Sequence, residues 1–141
     1  MTDVFTPSQR SAVMRSVRGA DTKPELVVRR ELHRRGYRFR LHRLDLPGCP
    51  DLVFPKLHAI IFVHGCFWHR HACPAGRSMP ASRVDYWKAK FERNQQRDRV
   101  VRRALHKAGW RVLVVWECQL TKSRRLRTID RIAQFLDSSE D

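Results

Sequence analysis

The chain has 141 residues, with 29 Lys and Arg against 14 Asp and Glu and a formal net charge of +15, which fits one domain with its own core and marks no second. An excess of this size, mostly arginine, excludes a cationic partner and points to a polyanion, because the guanidinium fork suits phosphates and base edges; nucleic acid leads, ahead of an anionic membrane surface. No apolar stretch approaches a membrane span and the opening MTDVFTP has no signal-peptide pattern, so a cytoplasmic, nucleoid-associated protein with no membrane contact is expected.

In chain order, residues 8–17 allow a short basic helix broken at Gly19, with Met14 as its largest flexible apolar side chain. Thr22 and Glu25 have capping-box spacing and open a helix carried by Leu26, Val27, Arg30 and Leu32 to Gly36. Tyr37, Phe39 and Leu41 alternate with Arg38, Arg40 and His42, which predicts a half-buried strand with a basic outer face. A turn over Leu46 to Pro50 leads to a strand from Asp51 to Phe54, ended by Pro55. The β-branched run from Leu57 to Val63 then predicts a central strand.

Residues 64–81, with Pro74, Gly76 and Pro80, read as a long loop, and long loops in compact domains are usually functional. Ser82 begins a long helix with Val84, Trp87, Phe91, Val101, Leu105 and Ala108 on its apolar stripe, ending at Gly109. A buried strand from Trp110 to Trp116 and an amphipathic helix from Arg124 to Leu136 complete the chain. The order helix, three strands, helix, strand, helix predicts an α/β fold: a mixed central sheet flanked by helices, its last strand reached by a helical crossover. Residues 1–141 form one domain, with an N-terminal helix within 1–20 and a core over 21–137.

Chemistry concentrates between Val63 and Cys73, where three histidines, two cysteines and the pair Phe67 and Trp68 fall within eleven residues. Imidazoles this dense need partners for every ring nitrogen once buried, so the stretch reads as a site. Thiolates and imidazoles hold zinc, imidazoles move protons, and exposed rings stack on flat groups. In a reducing compartment Cys66, Cys73 and Cys118 group as metal ligands rather than disulfides, leaving Cys49 over. Asp51 begins one strand and His64 ends the next, so an antiparallel pairing brings them together. A carboxylate beside a strand-end carbonyl suits Mg²⁺; the plainer alternative is that Asp51 only caps a turn.

Consecutive Phe67 and Trp68 would point in different directions in an extended loop, leaving rings free to wedge between bases. Trp87, Trp110 and Trp116 fall on core faces. Arg38, Arg40, Arg93, Arg97, Arg99, Arg102 and Arg103 include the expected phosphate contacts.

The segments Asp21-Thr22-Lys23-Pro24-Glu25, Leu46 to Asp51, His64-Gly65-Cys66-Phe67-Trp68-His69, Asp85-Tyr86-Trp87, and Gly109 through Trp116-Glu117-Cys118 together resemble the very-short-patch-repair (Vsr) DNA mismatch endonucleases over about residues 8 to 136. The resemblance implies a restriction-endonuclease-like PD-(D/E)xK core. It implies Asp51 and the Val63 carbonyl as Mg²⁺ ligands, His64 and His69 on the waters of the site with His69 the favoured general base, and Glu25 as a further acidic residue there. A capping role for Glu25 is compatible with this. Cys66, His71, Cys73 and Cys118 match structural zinc ligands; spacing alone does not choose His71 over His69. Phe67, Trp68 and, from the opposite groove, Met14 match DNA-intercalating positions.

The activity so implied is Mg²⁺-dependent nicking of double-stranded DNA on the 5′ side of the thymine in a T:G mispair left by deamination of 5-methylcytosine. One active site suffices to nick one strand, so a monomer is expected, with repair proteins as candidate partners. The alternatives are a restriction-like or structure-selective endonuclease on the same fold, and a zinc-stabilised DNA-binding module without catalysis. Two departures from the family pattern stand out: Val63 where threonine is common, and Cys49 where a basic or polar residue is usual.

Overall fold

The computed structural model describes residues 22–138, so Met14 and the helix expected over 8–17 lie outside the described residues. The first described helix, α1 (Lys23–Arg34), starts where the sequence places it. Thr22 Oγ1 accepts the Glu25 N–H at 3.4 Å, and Pro24 occupies the first turn, where its missing N–H costs nothing. His33 and Arg34 occupy the last turn, against the negative end of the helix dipole.

Strand β1 is shorter than the alternation from Tyr37 to His42 predicts and covers only Arg40–Leu41. It is an edge strand with one neighbour, and His42 turns out of the extended region with φ of 48°. The facing is as expected: Tyr37, Phe39 and Leu41 pack on the core while Arg38 and Arg40 are exposed. β2 (Leu52–Phe54) is wholly buried. Pro55, unable to donate to a ladder, opens a 3₁₀ turn over Pro55–Leu57, closed by His58 in the left-handed region. β3 (Ala59–His64) therefore starts two residues later than the apolar run suggests and ends one later.

The expected long loop contains two single-turn helices, α2 (Cys66–His69) and α3 (Pro74–Arg77). The crossover helix α4 (Val84–Lys107) begins two residues past Ser82, because Arg83 is left-handed at φ 57°. Val84 is consequently exposed rather than part of the apolar stripe, as is Ala108 beyond the helix end. β4 (Arg111–Trp116) follows, then a 3₁₀ turn over Glu117–Leu120 and the last helix α5 (Arg125–Asp137).

The four strands form one mixed sheet in the order β1-β2-β3-β4. β1, β2 and β3 are antiparallel neighbours; β4 runs parallel to β3, from Ala59 opposite Arg111 to His64 opposite Trp116. One face carries α1 and α5, with Val28, Leu32, Ile129, Ile132 and Leu136 packed on Leu52, Phe54, Ile61 and Val115. On the other face, Leu105 and Val101 of α4 pack with Val53, Ile60 and Phe62. Each such buried side chain contributes roughly 1.5–3 kcal/mol by leaving water. Tyr37 donates its hydroxyl hydrogen to Asp137 at 2.6 Å, tying the segment before β1 to the end of α5. All four cysteines are free, and among the described residues no helix is long and apolar enough to cross a membrane.

Candidate active site

The register that sets His64 opposite Trp116 brings β3 and β4 to a common end. Everything launched from that end shares one neighbourhood: α2 after β3, and the 3₁₀ turn carrying Cys118 after β4. Three clusters of ligating side chains lie among the described residues.

The first joins Asp51 to α1. Asp51 Oδ2 accepts the Val63 N–H at 2.7 Å, as the antiparallel pairing of β2 and β3 predicts. Burial pushes its carboxyl up to about 7; the Val63 bond opposes that rise and the nearby Glu25 adds to it. Glu25 is 1 % exposed, and its Oε2 lies 2.7 Å from His42 Nε2 and 3.4 Å from Arg29 Nη1. Glu25 thus has its N–H on Thr22 Oγ1 and its carboxylate facing His42.

The second cluster is His64, His69 and Asp98. The two imidazoles stack with centroids 3.8 Å apart and planes at 6°. His64 Nδ1 is enclosed and has no hydrogen-bond partner among the described residues. Burial, then the neighbouring His69, lowers the His64 pKa to about 3; Arg102 acts in the same direction and Asp98 against it. His64 is therefore neutral across the physiological range. His69 Nδ1 lies 2.6 Å from Asp98 Oδ2, and because an ionised carboxylate only accepts, Nδ1–H is the donor of this contact. The pair borders a pocket of about 290 Å³ whose wall includes Arg99, Arg102 and Trp116.

The third cluster is Cys66, His71, Cys73 and Cys118, with one ligand atom from each within 4.8 Å of the others. His71 Nδ1 is 3.4 Å from Cys118 Sγ and 3.8 Å from Cys66 Sγ. Edges of this length match a tetrahedral zinc site, where bonds of about 2.3 Å to sulfur and 2.0 Å to nitrogen leave ligand atoms about 3.5 Å apart. Burial pushes the Cys66 thiol up to about 12, while the Gly76 N–H, pointing at Cys73 Sγ, draws that thiol down. Gly76 is required by space: a Cβ there would lie 1.9 Å from the His71 carbonyl oxygen. Glu117 anchors α2 by accepting the Cys66 N–H at 2.9 Å.

Phe67 and Trp68 depart from the sequence reading. They lie on a helical turn, not an extended loop, and their rings meet edge to face at 5.2 Å. Both are half-buried against α4, where Phe67 meets Phe91 at 5.1 Å and Trp68 meets Trp87 at 5.8 Å. Buried Asn94 donates to the Trp68 carbonyl at 3.2 Å, and the Arg70 guanidinium covers Phe91 at 4.1 Å. Trp87 is accordingly part of the aromatic platform rather than of the sheet core. Trp116 also does more than fill a core face: it stacks on His71 at 4.3 Å and presents an edge to His64 at 5.2 Å. Trp110 does pack with the core, beside His58.

Asp98, His42, Asn94 and Glu117 escape the sequence reading. Phe91, Asn94, Asp98 and Leu105 recur on one face of α4, so two polar residues on an apolar stripe were the available signal. Of the arginines named from sequence, Arg99 and Arg102 line the histidine pocket and Arg93 and Arg97 continue the exposed face of α4; Arg38 bonds the carbonyls of His33 and Tyr37.

Residues 2–75 match the family described as DNA mismatch endonuclease Vsr. Over 99 % of its length the chain is 50 % identical to the whole of the type II nicking enzyme V.XorIIP of Xanthomonas oryzae pv. oryzae. It is 43 % identical to the type II nicking enzyme V.NmeAIP of Neisseria meningitidis, covering 85 % of each chain. It is 40 % identical to the DNA mismatch endonuclease Vsr of Escherichia coli, covering 89 % of this chain and 80 % of that one.

Proposed function

The chain belongs to the Vsr family of DNA mismatch endonucleases, and on that premise we propose that it nicks DNA on the 5′ side of the thymine in a T:G mispair, using Mg²⁺. The observation that carries the reading is the Asp98-held His69, beside neutral His64, at a pocket walled by Arg99 and Arg102. Positively charged walls receive the phosphodiester. His69 Nε2, its other nitrogen committed to Asp98, accepts a proton from a water as that water's oxygen bonds to phosphorus. The phosphorus–O3′ bond breaks in line, its electron pair leaving with O3′, which takes a proton from solvent water to become a 3′-hydroxyl, while the other end keeps a 5′-phosphate. Histidine suits this step because its pKa range spans neutral pH.

Asp51 and the Val63 carbonyl would hold Mg²⁺, with Glu25 nearby; the buried carboxylate at a strand end is a hard-oxygen donor set that fits it. When bound, the ion stabilises charge on the phosphate and on the departing oxygen. Cys66, His71, Cys73 and Cys118 would hold a zinc ion whose four protein ligands close the tetrahedron, so its work is to tie α2 and α3 to the turn after β4. Two thiols of opposite tendency beside an imidazole suit a cation that favours thiolates. Phe67 and Trp68, on a platform braced by Phe91 and Trp87, supply apolar surface for wedging into a weakened base step. The restriction-like PD-(D/E)xK reading of the core rests on the mixed sheet with Asp51 at its edge pair.

The test is nicking of end-labelled duplexes with one T:G pair in varied contexts, against T:A controls, in Mg²⁺ and in EDTA. A Mg²⁺-dependent cut on the thymine strand alone is expected. Cutting of matched DNA would make the protein restriction-like instead.

A further inference from the structure

We propose that His42 is a nitrogen ligand to the divalent ion at Asp51 and Glu25, and that it shifts the site's preference from Mg²⁺ toward Mn²⁺. The inference rests on the metal-dependent nuclease reading of this site and adds a residue and a selectivity to it.

Three segments converge here. Glu25 comes from the first turn of α1, His42 from the residue after β1, and Asp51 from the residue before β2; one ligand atom of each lies within 4.8 Å of the other two. Glu25 is 1 % and Asp51 8 % exposed, so two carboxylates have been withdrawn from water side by side with the Arg29 guanidinium 3.4 Å from one of them, an arrangement that a further cation or a proton stabilises. His42 is held to the cluster by its backbone, which donates to the Asp51 carbonyl at 3.2 Å. It also keeps a left-handed φ of 48°, a conformation that a non-glycine residue holds at some cost and that tends to occur at functional sites.

A hydrogen bond to Glu25 would by itself explain the 2.7 Å separation of His42 Nε2 from Oε2. Asp51, held in place by the Val63 N–H at 2.7 Å, supplies the third corner of the same triangle. Arg29 also reaches Oε2, at 3.4 Å, which weakens the pull on any cation and leaves the third donor to decide which cation binds. Carboxylate oxygens suit Mg²⁺ and Mn²⁺ alike, but Mg²⁺ is a hard cation that takes oxygen ligands, so an imidazole nitrogen in the set costs Mg²⁺ more than it costs a transition ion such as Mn²⁺. The same donor triad therefore selects Mn²⁺ over Mg²⁺ without needing a softer sulfur ligand.

The experiment titrates the full-length, zinc-loaded chain with Mn²⁺ followed by electron paramagnetic resonance, with Mg²⁺ competition, and records electron spin-echo modulation from nitrogen coupled to bound Mn²⁺. The wild type should bind Mn²⁺ more tightly than Mg²⁺ and show nitrogen modulation. His42→Gln should lose the modulation and narrow the Mn²⁺/Mg²⁺ ratio several-fold, while circular dichroism shows the fold retained. His42→Asn provides a second variant should the longer side chain misfold. Absence of nitrogen modulation in the wild type, its persistence in His42→Gln, or an equal loss of affinity for both ions would overturn the proposal; the last would make His42 a positioning residue for Glu25. Asp51→Asn separates the two levels. If it leaves both Mn²⁺ binding and nicking intact, the underlying metal reading fails; if it abolishes binding while His42→Gln changes nothing, only the role of His42 fails.

Discussion

Asp98 follows His69 by twenty-nine residues, yet its Oδ2 meets His69 Nδ1 at 2.6 Å, across the contact between α2 and α4. Asp98→Asn keeps the size but can donate where the carboxylate could only accept, so the imidazole can settle with its proton on Nε2. Single-turnover nicking should slow by about 10²–10⁴-fold with mismatch binding retained. Retention of the wild-type rate would remove His69 as the base.

Trp68→Ala removes a half-buried ring from the platform on α4. Affinity for T:G duplex should fall at least several-fold more than affinity for homoduplex, because only a wedge gains from a weakened step. Gel-shift titrations on both duplexes give the ratio; equal losses would assign the ring to packing.

Gly76→Ala forces a methyl group into the His71 carbonyl. Zinc content by mass spectrometry should drop well below one ion per chain, and nicking should drop with it. Structural zinc contributes about 10 kcal/mol or more in zinc-dependent peptides, so Cys118→Ser should have the same effect with a larger loss of thermal stability. Full zinc occupancy in both variants would refute the ligand set.

Asp51 gives the fold a pH dependence of definite sign. Its carboxyl, raised by burial from the ordinary range to about 7, holds its proton longer in the folded chain than in the unfolded one. Stability from this group is complete below about pH 4 and is lost as pH rises through 7, by about 4 kcal/mol in order of magnitude. His64, lowered to about 3, works oppositely, losing stability as pH falls below about 6.5. Urea unfolding in EDTA should therefore show Asp51→Asn gaining on the wild type between pH 4 and 8. A constant difference over that range would count against the buried, proton-holding carboxylate.

The sequence made the architecture legible where one physical signal dominated. Thr22 and Pro24 announce α1, the unbroken β-branched run announces β3, and the antiparallel turn between them and Asp51 foretells the bond from Val63. Element ends were less legible, because single backbone conformations at His42, His58 and Arg83 set them, and side-chain periodicity carries no information about φ. For the site, the density of cysteines and histidines between Val63 and Cys73 marks the candidate stretch, while spacing does not choose His71 over His69. Asp98 and His42 stayed hidden: each is an isolated polar residue whose partner arrives only by tertiary packing. An extended chain would splay Phe67 and Trp68, whereas the Gly65–Cys66 junction starts a helical turn.

One indole touches two clusters whose members alternate along residues 64–73. Trp116 stacks on His71 of the Cys/His cluster and meets His64 of the stacked histidine pair edge to face, while the cores on both sheet faces are built from other residues. If the Cys/His cluster holds a metal, a sample partly stripped by a chelator or an oxidant would lose the order around His71 and with it the neighbour that sets Trp116 beside His64. Specific activity would then track the metal inventory of a preparation rather than its protein concentration, and two batches of equal purity could differ by the fraction of chains whose indole still has both neighbours in place.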